Sequence, residues 1–378
     1  MTVSSNVYAD YNATSPLRPV AREAMLAALD ETGNPSSIHA HGRAARKRIE
    51  EARACIAEAV GLLEYRLVFT SGASEALATV LRPSVQNLQN KRHATKLLIN
   101  RTEHAAALDG HGFAPEAVSK LSVKSNGVVD CDALEHALKA MPEDECALVC
   151  VQSANSETGV LQPLGDISLL CDIHNALLVT DHVQGAGRIA LGAARPAAVV
   201  VSSHKVGGPS GVGAILYNVP RLLMTQALIR GGGQERGLRA GTENPAAAAG
   251  FAAALGAAAR DIPGETERLS ALRDRFEMEL VATKPNSVVF SKDVPRLPNT
   301  SCFALPDVDA SLALMQLDLA GLSISSGSAC SSGKVKASHV LAAMGVEQAL
   351  AACALRVSFG FASTQSDVDK LLAAIKSL

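Results

Sequence analysis

Apolar residues along this chain fall into two rhythms. A spacing of three to four residues over positions 21–29 and 43–60 predicts amphipathic helices behind an N-terminal arm. From there to about residue 260, short apolar runs at 67–70, 96–99, 147–151, 177–180, 198–202 and 214–217 alternate with helical, Ala-rich stretches. Apolar runs without in-and-out alternation predict strands buried on both faces, and the strand–helix alternation predicts a mainly parallel sheet covered by helices. The expected fold class is therefore α/β. After Pro263-Gly264 a charged helix over residues 265–281 opens a second region of mixed α/β pattern that runs from residue 287 to residue 378. No internal repeat interrupts this order.

Composition narrows the function. The 378 residues suit about two or three domains. Hydrophobic residues make up 48% and charged residues 19%, and with no Trp and 3% aromatics the core must consist of Ala, Val and Leu. A formal net charge of -2, without a long basic run, speaks against nucleic acid as a partner. Apolar stretches are broken well before bilayer length and residues 1–8 lack a signal-peptide core, so a soluble, cytoplasmic protein with no membrane contact is expected. Eight cysteines, at 55, 131, 146, 150, 171, 302, 330 and 353, form no Cys-x-x-Cys pair and no zinc-like spacing; reduced thiols and no metal site are expected. Most lie in apolar surroundings as small hydrophobes. Cys330 is the exception.

Candidate chemistry collects at strand ends. Ala197-Ala198-Val199-Val200-Val201 runs into Ser202-Ser203-His204-Lys205 and then a glycine-rich turn. A buried strand that ends this way presents its lysine to a cleft; the amine is either a Schiff-base nucleophile or a solvated lysine opening a surface loop. Phe69-Thr70-Ser71-Gly72-Ala73-Ser74-Glu75 reads as strand, small-residue turn and helix start, which is either a phosphate cradle of free N–H groups or an ordinary cap. The strand at 177–180 ends at Asp181-His182-Val183-Gln184, where a carboxylate lies in the ligand crevice of an open sheet or simply caps a turn. Amine, anion holder and carboxylate together are what pyridoxal phosphate requires. A last strand pattern enters Ser326-Gly327-Ser328-Ala329-Cys330-Ser331-Ser332-Gly333, a small-residue loop with one thiol. A thiol of pKa about 8.5 is already a strong nucleophile near neutrality.

These residues resemble the pyridoxal-phosphate-dependent cysteine desulfurases, within the class V aminotransferase group of fold type I, along essentially the whole chain. The resemblance rests on Asp10-Tyr11-Asn12-Ala13-Thr14, Gly33-Asn34-Pro35-Ser36-Ser37, Thr70 to Glu75, Thr102-Glu103-His104, Ser202 to Lys205, Arg239-Ala240-Gly241-Thr242 and Ser326 to Cys330, in the family's order. It implies a large domain at 15–259 with a mainly parallel, seven-stranded type of sheet, and a smaller α/β domain made of 1–14 and 260–378 that carries the cysteine loop. It further implies Lys205 as the Schiff-base lysine, Asp181 under the pyridine nitrogen, Gln184 on the ring's phenolic oxygen and His104 stacked on the ring. Gly72, Ala73, Ser74, Ser202 and His204 would hold the phosphate, joined by Thr242 from the second subunit of a homodimer. Arg356 would clamp the substrate carboxylate, for which a planar guanidinium is suited, with Asn34 nearby.

The implied reaction converts L-cysteine to L-alanine, with Lys205 as base and the sulfur held as a persulfide on Cys330 by a loop that moves like an arm. A protein sulfur acceptor such as an iron–sulfur scaffold, serving cluster assembly or other sulfur trafficking, would then take the sulfur. The competing readings are a selenocysteine lyase or other fold type I enzyme, and a degenerate relative that only binds. Departures from the pattern stand out. Ser156 replaces the second asparagine of Asn-Asn-Glu at a cofactor position, His182 replaces a small residue, and Ala76, Leu77 and Ala78 replace polar ones. The chain ends at Leu378, short of the extension that housekeeping members use to dock a scaffold, so altered or weaker partner binding is expected.

Overall fold

A computed structural model describes residues 6–326 and 338–378. Cys330 and the arm-like loop expected around it lie outside the described residues. Seven strands build the main sheet: β1 (Arg66–Thr70), β2 (Lys96–Asn100), β3 (Val118–Leu121), β4 (Ala147–Cys150), β5 (Leu177–Asp181), β6 (Ala198–Ser202) and β7 (Gly213–Tyr217). Their order is β1-β7-β6-β5-β4-β2-β3. All neighbours are parallel except β7, which runs antiparallel to both β1 and β6. Strands β4, β5, β6 and β7 are buried along their whole length, which is why they read as unbroken apolar runs.

Two apolar cores sandwich this sheet. One contains Val149, Leu178, Val199 and Val201 from the strands, and it receives Ile49, Ile56, Phe251 and Leu255 from α2 (Ala40–Val60) and α4 (Pro245–Ala259). The other packs Leu148, Val179, Val200 and Ile215 against Leu77 and Val80 of α3 (Ala73–Val80). Because successive strand residues face opposite sides, Val199, Val200 and Val201 divide between the two cores. The Ala-rich helix α4 lies close against α1 (Pro19–Leu29) and α2. Its Gly250 has no side chain in a place where a Cβ would meet the Met25 side chain at 2.5 Å.

Beyond α5 (Ile262–Thr283) comes an antiparallel sheet of β8 (Val288–Val289), β9 (Thr300–Ala304), β10 (Ser325–Ser326) and β11 (Ala354–Ser358), ordered β8-β9-β11-β10. A third core joins Phe276, Phe303, Leu355, Phe359 and Leu371 with Val7 and Ala9 of the N-terminal arm. The arm is held by parallel pairing of Val7–Tyr8 with Leu322–Ser323. A small three-stranded sheet formed by Val85–Asn87, Arg92–His93 and Leu222–Met224 has no counterpart in the expected elements, since its strands are two or three residues long and too short for a periodic signal. No helix among the described residues is long and apolar enough to cross a membrane.

Candidate active site

The carboxyl ends of β5 and β6 open onto a cavity of about 540 Å³. Sheet register explains what meets there. Ser202 pairs with Gly213, and Gly213 pairs with Thr70. The strand end that leads to Lys205 and the strand end that leads to Ser71-Gly72 are thus separated only by β7, and Gly213 keeps that separation small. A Cβ on Gly213 would lie 2.8 Å from the Gly72 Cα. Asp181 is opposite Val200 on the other side of β6. Gly72, Ala73, Ser74, His104, Ser156, Asp181, Gln184, Ser202, His204, Lys205 and Arg356, all expected from the sequence, line this one cavity.

Lys205 follows β6 in a short 3-10 turn, Ser203–Lys205. Its Nζ donates to the backbone oxygens of Asn12 at 2.7 Å and Ala13 at 2.8 Å, so the N-terminal arm receives the amine. The backbone N–H of Val183 donates to Asp181 Oδ1 at 2.9 Å. Burial raises the pKa of this carboxyl, opposed by that N–H, by His104 and by Lys205. A cationic partner inside the cavity is what would hold it ionised. Close by, burial and a second carboxylate, Asp181, raise the fully buried Glu103 well above the usual carboxylate range. Glu103 Oε1 accepts from the Gln152 N–H at 2.7 Å.

His104 caps the short helix Ala105–Leu108, its Nδ1 accepting from the Ala106 N–H at 3.0 Å. That bond assigns the ring proton to Nε2. His204, pushed down to about 4 by burial and by the neighbouring Lys205, is neutral near pH 7. The first turn of α3 starts at Gly72 with no side-chain cap, leaving its N–H groups available to an anion. Beneath it, Glu75 accepts from the Ser71 N–H and pairs with Arg239.

Arg356 lies on β11, next to Ser325 of β10. Nη1 donates to the Ser156 oxygen at 2.9 Å and Nη2 to Asp10 Oδ1 at 2.6 Å, while the buried Nε bonds no described residue. The guanidinium is therefore oriented with a donor to spare. His182 turns away from the cavity: its Nδ1 lies 2.9 Å from Ser153 Oγ, and its ring fills space that Gly185 leaves open, where a Cβ would sit 2.4 Å from the imidazole. Two expected residues lie elsewhere. Asn34 is exposed and its side chain accepts from the Ser36 N–H at 2.9 Å. Thr242 is exposed and borders a smaller pocket with Phe69 and Arg239.

Asn12, Ala13, Gln152 and Arg188 were not among the expected site residues. Asn12 stands within a quoted motif and Gln152 closely follows a strand end, both usable signals; Arg188 carries no local signal. Among the described residues no cluster of His, Cys, Asp and Glu could hold a metal ion.

One amine, one buried carboxylate, a stackable imidazole and an uncapped helix N-terminus around a single cavity are the donor set that pyridoxal phosphate needs, and the residues fit that group. With the seven-stranded sheet they define a fold type I pyridoxal-phosphate enzyme. The chain belongs to the aminotransferase class-V family, whose model matches residues 7–371. It is 36% identical to an IscS-like cysteine desulfurase of Mycobacterium tuberculosis, over 97% of this chain and 95% of that protein. It is 37% identical to a cysteine desulfurase of Cereibacter sphaeroides, over 98% and 94%. Among solved structures it resembles the NifS-like protein from Rickettsia africae, with a TM-score of 0.88 and 32% identity over 98% of this chain and 99% of that one.

Proposed function

We infer that this protein is a pyridoxal-phosphate-dependent cysteine desulfurase that takes L-cysteine, releases L-alanine and keeps the sulfur as a persulfide on Cys330. The observation that carries this reading is the convergence of Lys205, Asp181, His104 and Arg356 on one cavity. Bound there, the cofactor supplies an aldehyde that takes up amines and an electron-poor ring that accepts the electrons of the substrate's Cα–H bond.

The first turn of α3, with Ser202 and His204, would hold the phosphate. Asp181 would keep the ring nitrogen protonated, Gln184 would meet the phenolic oxygen, and Arg356 would receive the substrate carboxylate. Lys205 removes the Cα proton and gives a proton back to Cα once the sulfur has left, and the Asn12 and Ala13 carbonyls hold its Nζ in the cavity. The Cys330 thiolate then attacks the substrate sulfur. The S–S bond forms as the C–S bond breaks, the bonding pair stays with the substrate carbon, and protonation of that carbon gives the methyl group of alanine.

Thr242, exposed and outside this chain's own cavity, would serve a neighbour's in a homodimer, whereas Asn34 lies outside the cavity that would hold the substrate carboxylate. The division into 15–259 and 1–14 with 260–378, a cytoplasmic location and a protein sulfur acceptor such as an iron–sulfur scaffold complete the reading. The test is sulfide release from L-cysteine with a reductant, comparing cofactor-loaded wild type with Cys330→Ala. Release by wild type alone is expected. Release at an equal rate by the variant removes Cys330 as the sulfur carrier, and no release by either removes the desulfurase reading.

A further inference from the structure

Arg188 is a cation behind the Gln184 wall of the cavity, with four backbone and side-chain acceptors. It stands four residues after Gln184, where the chain turns back through Gly185, whose oxygen accepts the Arg188 N–H at 2.9 Å. Nη1 donates to the Gln184 backbone oxygen at 3.1 Å and to Gln184 Oε1 at 2.5 Å. Nη2 donates to the backbone oxygens of Tyr11 at 3.2 Å and Lys205 at 3.0 Å. One planar fork thus joins three chain segments: the end of β5, the N-terminal arm and the lysine turn. An ammonium is a point donor and cannot span them in this way. Burial pushes Arg188 down to about 10, helped by the neighbouring cations Arg356 and Arg18, so it remains charged near neutrality.

Gln184 lines the cavity. A guanidinium has only donors, so the amide must turn its oxygen towards Arg188 and its NH₂ the other way. One of those two N–H bonds goes to the Asn12 oxygen at 2.9 Å, the same oxygen that receives Lys205 Nζ. The second remains for the cavity. A wall that can only donate is matched to an anionic acceptor.

We propose that Arg188 is a positioning residue that locks the Gln184 amide with its NH₂ facing the cavity, so that this wall donates to the cofactor's ring oxygen in its anionic form, and that ties Gln184 to the Lys205 backbone. This rests on the cofactor reading given above and adds to it the group that sets the polarity of the Gln184 contact. The expected consequence is spectroscopic. Donation to the ring oxygen stabilises its anion and so lowers the pH at which the bound cofactor takes up its proton.

The experiment follows visible absorbance against pH in full-length, cofactor-loaded protein without substrate, together with the cofactor Kd. Arg188→Met should raise the absorbance midpoint by about one pH unit or more, the scale of losing one charge-reinforced hydrogen bond. Arg188→Lys should fall between it and wild type. In a Gln184→Ala background the effect of Arg188→Met should shrink to less than half, because the residue acts through Gln184. A shift that persists in full there assigns Arg188 a through-space effect and overturns the proposal; so does an unshifted midpoint in Arg188→Met. Should Arg188→Met fail to fold, Gln184→Glu is the second arm. That carboxylate still accepts from Arg188 but offers the cavity an acceptor, and a wild-type midpoint and Kd in it also overturn the proposal. Wild-type protein that binds no cofactor and shows no visible band refutes the cofactor reading instead.

Discussion

Glu157 closes the Asn155-Ser156-Glu157 stretch and is buried, and Ser338 Oγ donates to its carboxylate. Burial raises its pKa from the ordinary 4.5 to about 7, against the pull of Ser338, Arg356 and His104 in the opposite direction. A carboxyl whose folded-state pKa lies above its unfolded value binds its proton more tightly when folded. Its contribution is fully present below pH 4.5, falls as the pH rises towards 7, and stays lost above that. About 2.5 pH units at about 1.4 kcal/mol each makes the loss about 3 kcal/mol. Glu157→Gln keeps an acceptor for Ser338 and removes the titration. Its stability relative to wild type should therefore climb by about 3 kcal/mol between pH 4.5 and about pH 7.5. Urea denaturation of both proteins across that range, at constant ionic strength and the same cofactor loading, reads the difference while cancelling every other titrating group. A difference that stays flat with pH would refute the reasoning, because it would mean that Ser338 and Arg356 outweigh burial and the carboxyl ionises in its ordinary range.

Three further substitutions probe the site. His182, which burial lowers from 6.5 to about 4, contributes stability that is present above pH 6.5 and lost as the pH falls towards 4. His182→Ala should flatten that acid limb by about 3 kcal/mol in the same urea series; an unchanged limb would mean that the imidazole takes its proton inside the fold. Gly213→Ala puts a Cβ 2.8 Å from the Gly72 Cα and 2.9 Å from the Val201 oxygen, all backbone atoms that cannot swing aside. It should cost about 1–3 kcal/mol of stability and weaken cofactor binding. An unaltered Kd in an absorbance titration would remove the first turn of α3 from the phosphate site. Arg356→Lys loses the planar fork that Asp10 and Ser156 hold, so KM for L-cysteine should rise by about tenfold or more with cofactor affinity unchanged. Steady-state kinetics with an unchanged KM would exclude Arg356 as the carboxylate clamp.

What the sequence made legible was local. Unbroken apolar runs marked β4 to β7, and the residue types at the carboxyl ends of β1, β5 and β6 marked the cavity, because strands that run in one direction place those ends together at a ligand crevice. Contacts made across the chain left no such trace. Asp10 reaches Arg356 over 346 positions, Asn12 receives Lys205 over 193, and Arg188 fastens Tyr11 over 177. Periodicity cannot register such pairings. For His182 the sequence showed only a departure from the family pattern, and its orientation away from the cavity is set by packing into the space that Gly185 leaves open. The Ser156 departure has a similar resolution. Its backbone oxygen, rather than its side chain, accepts from Arg356 Nη1 at 2.9 Å and from Asn12 Nδ2 at 3.1 Å. Every residue type carries that oxygen, so serine in place of asparagine leaves the hold on Arg356 and on Asn12 of the arm that receives Lys205 intact. What the change removes is an amide at the cavity wall, and its effect belongs to the contacts of the bound cofactor and substrate.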